Sequence, residues 1–226
     1  MTRGNFKTNS FRSKHREIRQ FAPVVFFALA IVTSSVLGLA ADEPGYRSLF
    51  NGKDLAGWDG DTTLWKIEGD AIVGDSPGIK HNQFLCTKEE FGDFELKLEF
   101  RVKDGAGNTG VQFRTKKLPN TTEVSGYQAD LGDKYWGCLY DESRRNKILV
   151  QASPELEKVL KKSDWNEYAI RAEGDHITLK INGVTTVDYK EPDAEIARSG
   201  IIALQVHSGG PMRVDFRNIR IKTLGK

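Results

Sequence analysis

The stretch Asp93–Lys103, DFELKLEFRVK, alternates without a break. Phe94, Leu96, Leu98, Phe100 and Val102 fall on one parity, and Asp93, Glu95, Lys97, Glu99, Arg101 and Lys103 on the other. Successive side chains of a strand point to opposite faces, so this period of two specifies a strand with one buried and one solvated face. The flanking sequence supplies its partners. Gly69-Asp70 separates Leu64–Glu68 from Ala71–Gly74, and Gly174-Asp175 separates Tyr168–Glu173 from His176–Ile181. Asn182-Gly183 then turns Ile177–Ile181 into Val184–Tyr189, with the positive-φ residues that tight hairpins require. Near the C-terminus Val214 and Phe216 share a parity that Ile219 and Ile221 do not, and a β-bulge near Arg217–Asn218 returns both pairs to one core. About twelve strands are expected, with Pro154–Lys161 as the one short helical stretch. The fold class is therefore all-β, an antiparallel β-sandwich.

The first forty residues read differently. Arg3, Lys7, Arg12, Lys14, Arg16 and Arg19 face a single acid, Glu17, and Phe21–Leu39 is almost wholly apolar. Small residues, Gly38, Ala40 and Ala41, close the segment. A basic start, an apolar middle and a small-residue exit describe a signal peptide over residues 1–41, cleaved near Ala41–Asp42. The alternative is an uncleaved anchor, which Pro23, Thr33, Ser34 and Ser35 weaken as a helix. A periplasmic or secreted protein with one domain over 42–226 is expected. No linker rich in Pro, Gly or Ser divides that domain.

Of the 33 basic and 31 acidic residues, six and one lie in the first forty, leaving 27 against 30. The basicity belongs to the leader, so the domain has no charge reason to bind nucleic acid. Cys86 and Cys138 read as buried free thiols, since a core of this size needs no cross-link, with a disulfide between them as the alternative that an oxidising compartment permits. There is no P-loop, no G-x-G-x-x-G, no G-x-S-x-G elbow, and no pair of histidines at metal-ligand spacing.

Three strands depart from the Lys/Glu surface pattern. Gln112 and Arg114 alternate with Val111 and Phe113; Gln128 and Asp130 lie between Tyr127, Ala129 and Leu131; Gln205 and His207 lie opposite Leu204 and Val206. Each strand puts two polar side chains on one face. Amides, a guanidinium, a carboxylate and an imidazole suit a sugar, a disc of hydroxyls with apolar faces that also needs an aromatic platform. Trp136 and Tyr140 are candidates for that platform. Glu142, Arg144 and Arg145 form either a rim that orients substrate or a surface ion cluster.

On these residues the chain resembles the 3-keto-disaccharide hydrolase domain family. The resembling stretches include SLFNGKDLAGW (Ser48–Trp58), GDFELKLEFRV (Gly92–Val102), NTGVQFR (Asn108–Arg114), GYQADLGDKYWGCLYDESRR (Gly126–Arg145) and GIIALQVHSGGPMRVDFRNIRIK (Gly200–Lys222). The resemblance implies a concanavalin A-like sandwich, or jelly roll, acting on oxidised disaccharides or glycosides. Many members carry a glutamate where this chain has Gln128, with the acid here two residues later at Asp130. A ketone at C3 acidifies the C2 proton, so a base removes it, the aglycone leaves C1 and water adds. Such a site needs one base near neutral pKa and donors for the enolate oxygen, not a pair of glycosidase carboxylates. His207 and Asp130 are the candidate acid–base groups, with Arg114 and Gln128 as donors. A divalent cation on Asp130 and His207 is an alternative electrophile. The alternative function is a lectin-like module that holds carbohydrate without turnover.

Overall fold

The computed structural model describes Met1 and residues 43–225, so the expected signal peptide lies outside the described residues. Among the described residues no helix is long and apolar enough to cross a membrane. Fifteen strands follow one another. They are β1 (Arg47–Ser48), β2 (Trp58–Asp59), β3 (Trp65–Glu68), β4 (Ala71–Ser76), β5 (Gln83–Phe91), β6 (Phe94–Val102), β7 (Asn108–Lys117) and β8 (Val124–Gly132). Then come β9 (Leu139–Glu142), β10 (Lys147–Val150), β11 (Asn166–Glu173), β12 (His176–Ile181), β13 (Val184–Lys190), β14 (Gly200–Val206) and β15 (Met212–Thr223). The expected helical stretch is a single 3₁₀ turn, Pro154–Lys158, capped by the Ser153 side chain. The three turns read from the sequence join β3 to β4, β11 to β12 and β12 to β13.

The strands form two antiparallel sheets. One runs β13-β12-β11-β6-β15-β4-β3, with β1 on β15; the other runs β10-β9-β8-β7-β14-β5-β2. This is the antiparallel sandwich expected from the strand pattern. The five apolar residues of β6 are all fully buried, and they meet Val111, Phe113, Tyr127, Ala129, Leu131, Leu204 and Val206 from the other sheet in one core. The bulge expected in β15 is present: the register with β6 shifts between Arg217 and Arg220, and Asn218 takes a positive φ of 51°. The shift returns Ile219 and Ile221 to the core alongside Val214 and Phe216.

The outward faces of the two sheets differ. On the first, charges pair off: Arg217 Nε lies 2.7 Å from Glu99, and Arg101 and Arg217 stack on Trp165 at 4.7 and 4.0 Å. Such a face is solvated and internally satisfied. On the second sheet the outward row of β14, β7 and β8 holds neutral amides, a carboxyl group and glycines.

Candidate functional site

The registers of the second sheet fix which side chains meet. Gln112 sits opposite Gln128 on β8 and opposite Ala203 on β14, and Gly110 sits opposite Asp130. Gln128 in turn faces Tyr140 on β9, and Gly126 faces Glu142. Continuing the register that sets Leu204 opposite Val111 brings Gln205 beside Gly110 and His207 beside Asn108. Since Val111, Leu204 and Ala129 enter the core, all of these neighbours share the outward face. The pairing of i and i+2 polar residues therefore does bring Gln112, Gln128, Asp130, Gln205 and His207 together.

Arg114 does not join them. It takes a positive φ of 46° at a bulge, where the β7–β8 register shifts between Phe113 and Lys116. The extra residue turns the guanidinium to the sheet edge. There it donates to Asp93 at 2.7 Å, to the Gly174 carbonyl at 2.7 Å and to the Gly92 carbonyl at 3.2 Å. Every donor group is engaged in joining the two sheets, and Thr115 takes its place on the outward face. Strict alternation fails here because one inserted residue inverts parity.

Trp136 is also displaced. Its ring stacks on Phe100 at 6.3 Å, packed against the core, so the platform role passes to Tyr140. Tyr140 meets Tyr135 edge to face at 6.2 Å, and Tyr135 is a residue the sequence reading missed.

The Asp141–Arg145 cluster divides by parity. Asp141 is fully buried and takes Arg144 at 2.9 Å and Arg145, while Arg145 also reaches Glu191 at 2.7 Å. The Arg144 guanidinium lies 4.5 Å over the Tyr127 ring, whose hydroxyl donates to Glu191 at 2.6 Å. Arg145 thus clasps strand β9 to the segment after β13, Arg144 packs on Asp141 and Tyr127, and the sheet lies between them and the outward face. Glu142, on the other parity, stays with the site.

The titratable groups of the face are electrostatically coupled. Burial pushes Asp130 well above the usual carboxylate range, and the nearby Glu142 adds to this against hydrogen bonds from Gln128 and the Leu131 amide. The Leu131 N–H lies 2.9 Å from the Asp130 carboxylate. Glu142 is also raised, first by burial and then by Glu123, with His207 opposing. His207 Nδ1 is 2.7 Å from the Ser208 carbonyl. A carbonyl can only accept, so Nδ1 carries a proton, and in the neutral ring it is Nε2 that has the lone pair.

Two amides of the face are unpartnered. Gln205 is fully buried, and neither its Nε2 nor its Oε1 has a hydrogen-bond partner; the Asn108 Oδ1 is likewise buried and bare. A buried amide forfeits about 1–3 kcal/mol per unmade bond, so a ligand that supplied the partner would gain that much there. Asn108 was not singled out in the sequence; its signal is its place at i−2 from Gly110 and i−4 from Gln112 on the outward parity.

Among the described residues no three His, Cys, Asp or Glu side chains gather as a metal site. Asp130 and His207 alone do not make the donor set that a firmly held divalent ion requires. Cys86 and Cys138 are buried free thiols, as the sequence reading held.

Comparison with known proteins agrees with this architecture. A candidate glycosyl hydrolase from Parabacteroides distasonis shares the fold with a TM-score of 0.62 at 21% identity, over 80% of this chain and 94% of that one. The carbohydrate-binding module CBM66 from Bacillus subtilis gives 0.56 at 20% identity, over 74% and 96%. A Bacillus subtilis protein of unknown function with a galectin-like fold gives 0.60 at 12% identity, over 79% and 94%. Among curated proteins none matches the chain significantly. The sequence profile of one family matches residues 45–222, nearly all of the sandwich, and the chain belongs to that family, the 3-keto-alpha-glucoside-1,2-lyase-like domain.

Proposed function

We propose that this protein cleaves 3-keto-disaccharides or related 3-keto-glycosides on the outward face of the second sheet, by elimination followed by hydration. The observation that carries the reading is Gln205. Its amide is buried with donor and acceptor both free, on the same face as an imidazole whose Nδ1 is bound to a carbonyl, which leaves Nε2 as the basic nitrogen of the neutral ring. The lyase chemistry in the family's description supports the elimination step.

His207 Nε2 takes the C2 proton, and the electron pair moves toward the C3 carbonyl oxygen. The Gln205 amide N–H donates to that oxygen as it gains charge. Asp130, whose environment favours the protonated carboxyl, gives its proton to the aglycone oxygen as the C1–O bond breaks. Water then adds across the C1–C2 double bond. Hydroxyl to C1 and proton to C2 restore the sugar and leave Asp130 and His207 as they began. Three strand spacings of about 4.8 Å separate Gln205 on β14 from Tyr140 on β9. That span, about 14 Å, accommodates two sugar rings, with the second ring against Tyr140 and Tyr135. Export to the periplasm or cell exterior, with the leader removed, belongs to the same proposal.

The rival reading is carbohydrate binding without turnover, supported by the shared fold with CBM66 and the Tyr135–Tyr140 pair. Purified protein incubated with a 3-keto-disaccharide and its unoxidised parent, with and without chelator, separates the two. His207→Ala and Asp130→Asn are each expected to lower turnover by ~10²–10⁴-fold. Solvent deuterium is expected at C2 of the product. Cleavage of the unoxidised sugar at a similar rate sinks the mechanism, and tight sugar binding without product favours the rival.

A further inference from the structure

His207 directly follows β14 and Asn82 directly precedes β5, and the two strands pair with Gln83 opposite Val206. The chain leaves β14 through Ser208 and Gly209, and the β4–β5 loop holds both peptide groups of that exit. The Ser208 N–H donates to Asn82 Oδ1 at 2.8 Å. The Gly209 N–H donates to the Ile79 carbonyl at 2.8 Å, and the Ile79 N–H returns a bond to the Gly209 carbonyl at 3.1 Å. Gly209 makes the bend with a φ of 129°, a conformation that suits glycine. Between these anchors stands the Ser208 carbonyl, 2.7 Å from His207 Nδ1. It shares a peptide plane with the Gly209 N–H, which is tied down on the opposite side.

Asn82 is engaged at every polar group of its side chain. Its Oδ1 accepts from Ser208 and its Nδ2 donates to Glu123 Oε2 at 3.3 Å, while its backbone carbonyl accepts from the Thr122 hydroxyl at 2.8 Å. One end of the side chain meets an N–H and the other a carboxylate. An amide carries a donor and an acceptor at that spacing, and the two partners fix which way round it stands. A carboxylate at position 82 would still accept from Ser208 but would set a like charge against Glu123. From this geometry we infer that Asn82 is a positioning residue for His207: by pinning the exit of β14 it holds the Ser208 carbonyl that keeps a proton on Nδ1, and so reserves Nε2 for the substrate.

The benefit is chemical as well as geometric. A neutral imidazole without such a bond exchanges its proton between Nδ1 and Nε2, and a ring protonated on Nε2 presents no base to the sugar. A fixed carbonyl removes that loss. Once Nε2 has taken the C2 proton the ring is charged, and the same Nδ1–H bond to Ser208 becomes the stronger, charge-assisted kind. No proton passes through Asn82 in either step. Thr122 and Glu123 of the β7–β8 loop complete the brace, so the imidazole is held by two loops that its own strand does not contain.

This inference rests on reading His207 as the base, but its first test needs no substrate. In the folded full-length protein the ¹⁵N resonances of the His207 ring are recorded in alkaline buffer, where imidazole is neutral, and assigned by their loss in His207→Gln. The wild type is expected to show a single tautomer with its proton on Nδ1. Asn82→Ala is expected to show both tautomers in exchange. Asn82→Asp combined with Glu123→Gln returns an acceptor to Ser208 and an amide to its neighbour, and is expected to restore the single form. A wild-type ring protonated on Nε2, or an Asn82→Ala ring that keeps the Nδ1–H form alone, overturns the inference. On a 3-keto-disaccharide, Asn82→Ala is expected to lower kcat about tenfold, the equivalent of one hydrogen bond, with KM nearly unchanged and recovery in the paired variant. A loss carried by KM alone also overturns it. A wild type that turns over no keto-sugar refutes the proposed function and leaves the ring resonances to decide the role of Asn82.

Discussion

Replacing Arg114 by leucine tests whether this residue serves the fold or the ligand. In the structure its guanidinium is almost fully buried and meets three acceptors: Asp93, the Gly92 carbonyl and the Gly174 carbonyl. Leucine fills part of the volume but strands all three. Each carbonyl deprived of its donor costs about 1–3 kcal/mol. Asp93 remains 28% exposed and is partly rehydrated, so its share is the smaller one. Loss of a largely buried pair with these added bonds amounts to about 3–5 kcal/mol. With a urea slope of about 2 kcal/mol/M for a domain of this size, the midpoint falls by about 1.5–2.5 M at unchanged slope. Lys158→Ala is the control, because its pair with Glu155 is well exposed on both sides, and its loss is expected within about 0.5 kcal/mol. Equilibrium urea unfolding followed by tryptophan fluorescence measures both. A loss below about 1 kcal/mol for Arg114→Leu refutes the structural assignment, and a normal midpoint with abolished sugar binding returns Arg114 to the site.

Further outcomes follow from the same contacts. Asp130 binds its proton more tightly in the fold than in the open chain, so its ionisation costs stability as pH rises above about 4. Asp130→Asn is therefore expected to raise the melting temperature at pH 7, with the gain vanishing in acid; a variant less stable at pH 7 contradicts the burial argument. Glu191 behaves oppositely. Burial alone would raise it, but bonds from Arg145 and Tyr127 lower it to about 2. Its contribution is complete above the ordinary value of 4.5 and is lost as pH falls toward 2, so Glu191→Gln is expected to flatten the acid limb of the stability curve. Gly110→Ala forces a methyl group onto Gln128 Cγ and Cδ and is expected to cost about 1–3 kcal/mol, measured by the same urea titration. An unchanged midpoint would mean that Gln128 has room to move aside.

The sandwich was legible in the sequence because alternation is a local property. Asp93–Lys103 shows its two faces in eleven residues, and Asn182-Gly183 and Gly174-Asp175 announce their turns without reference to anything distant. The site was half legible for the same reason. Gln128, Asp130 and Gln205 keep the parity of their strands, with His207 one step past the end of β14, and the registers carry them to one face. Arg114 fails because the bulge that turns it inward is set by pairing with β8 and β14, which no window of β7 contains. Trp136 fails because a loop residue has no parity at all; the Phe100 ring that receives it lies thirty-six positions away. Arg145 fails because its partner Glu191 arrives from beyond β13, and Arg144 because it turns back onto Asp141 and the Tyr127 ring.

These misreadings share a direction. Arg114, Arg144 and Arg145 are the long cations of the candidate set: Arg114 and Arg145 join elements of the sandwich, and Arg144 is drawn onto Asp141 and the Tyr127 ring. What remains on the outward face is neutral amides, one imidazole and carboxyl groups whose proton affinity is raised by burial and by one another. With these arginines engaged elsewhere, the face lacks their guanidinium groups, and Glu142 with Glu123 works against an anionic sugar such as a phosphate ester or uronate. Under the proposed function the face takes a neutral glycoside whose hydroxyls and carbonyl meet the amide donors and acceptors. The absence of a nearby cation has a second effect. Gln128 and the Leu131 amide pull Asp130 toward the ordinary carboxylate range, but no arginine joins them and burial outweighs them, which under the proposed mechanism keeps a proton available for transfer.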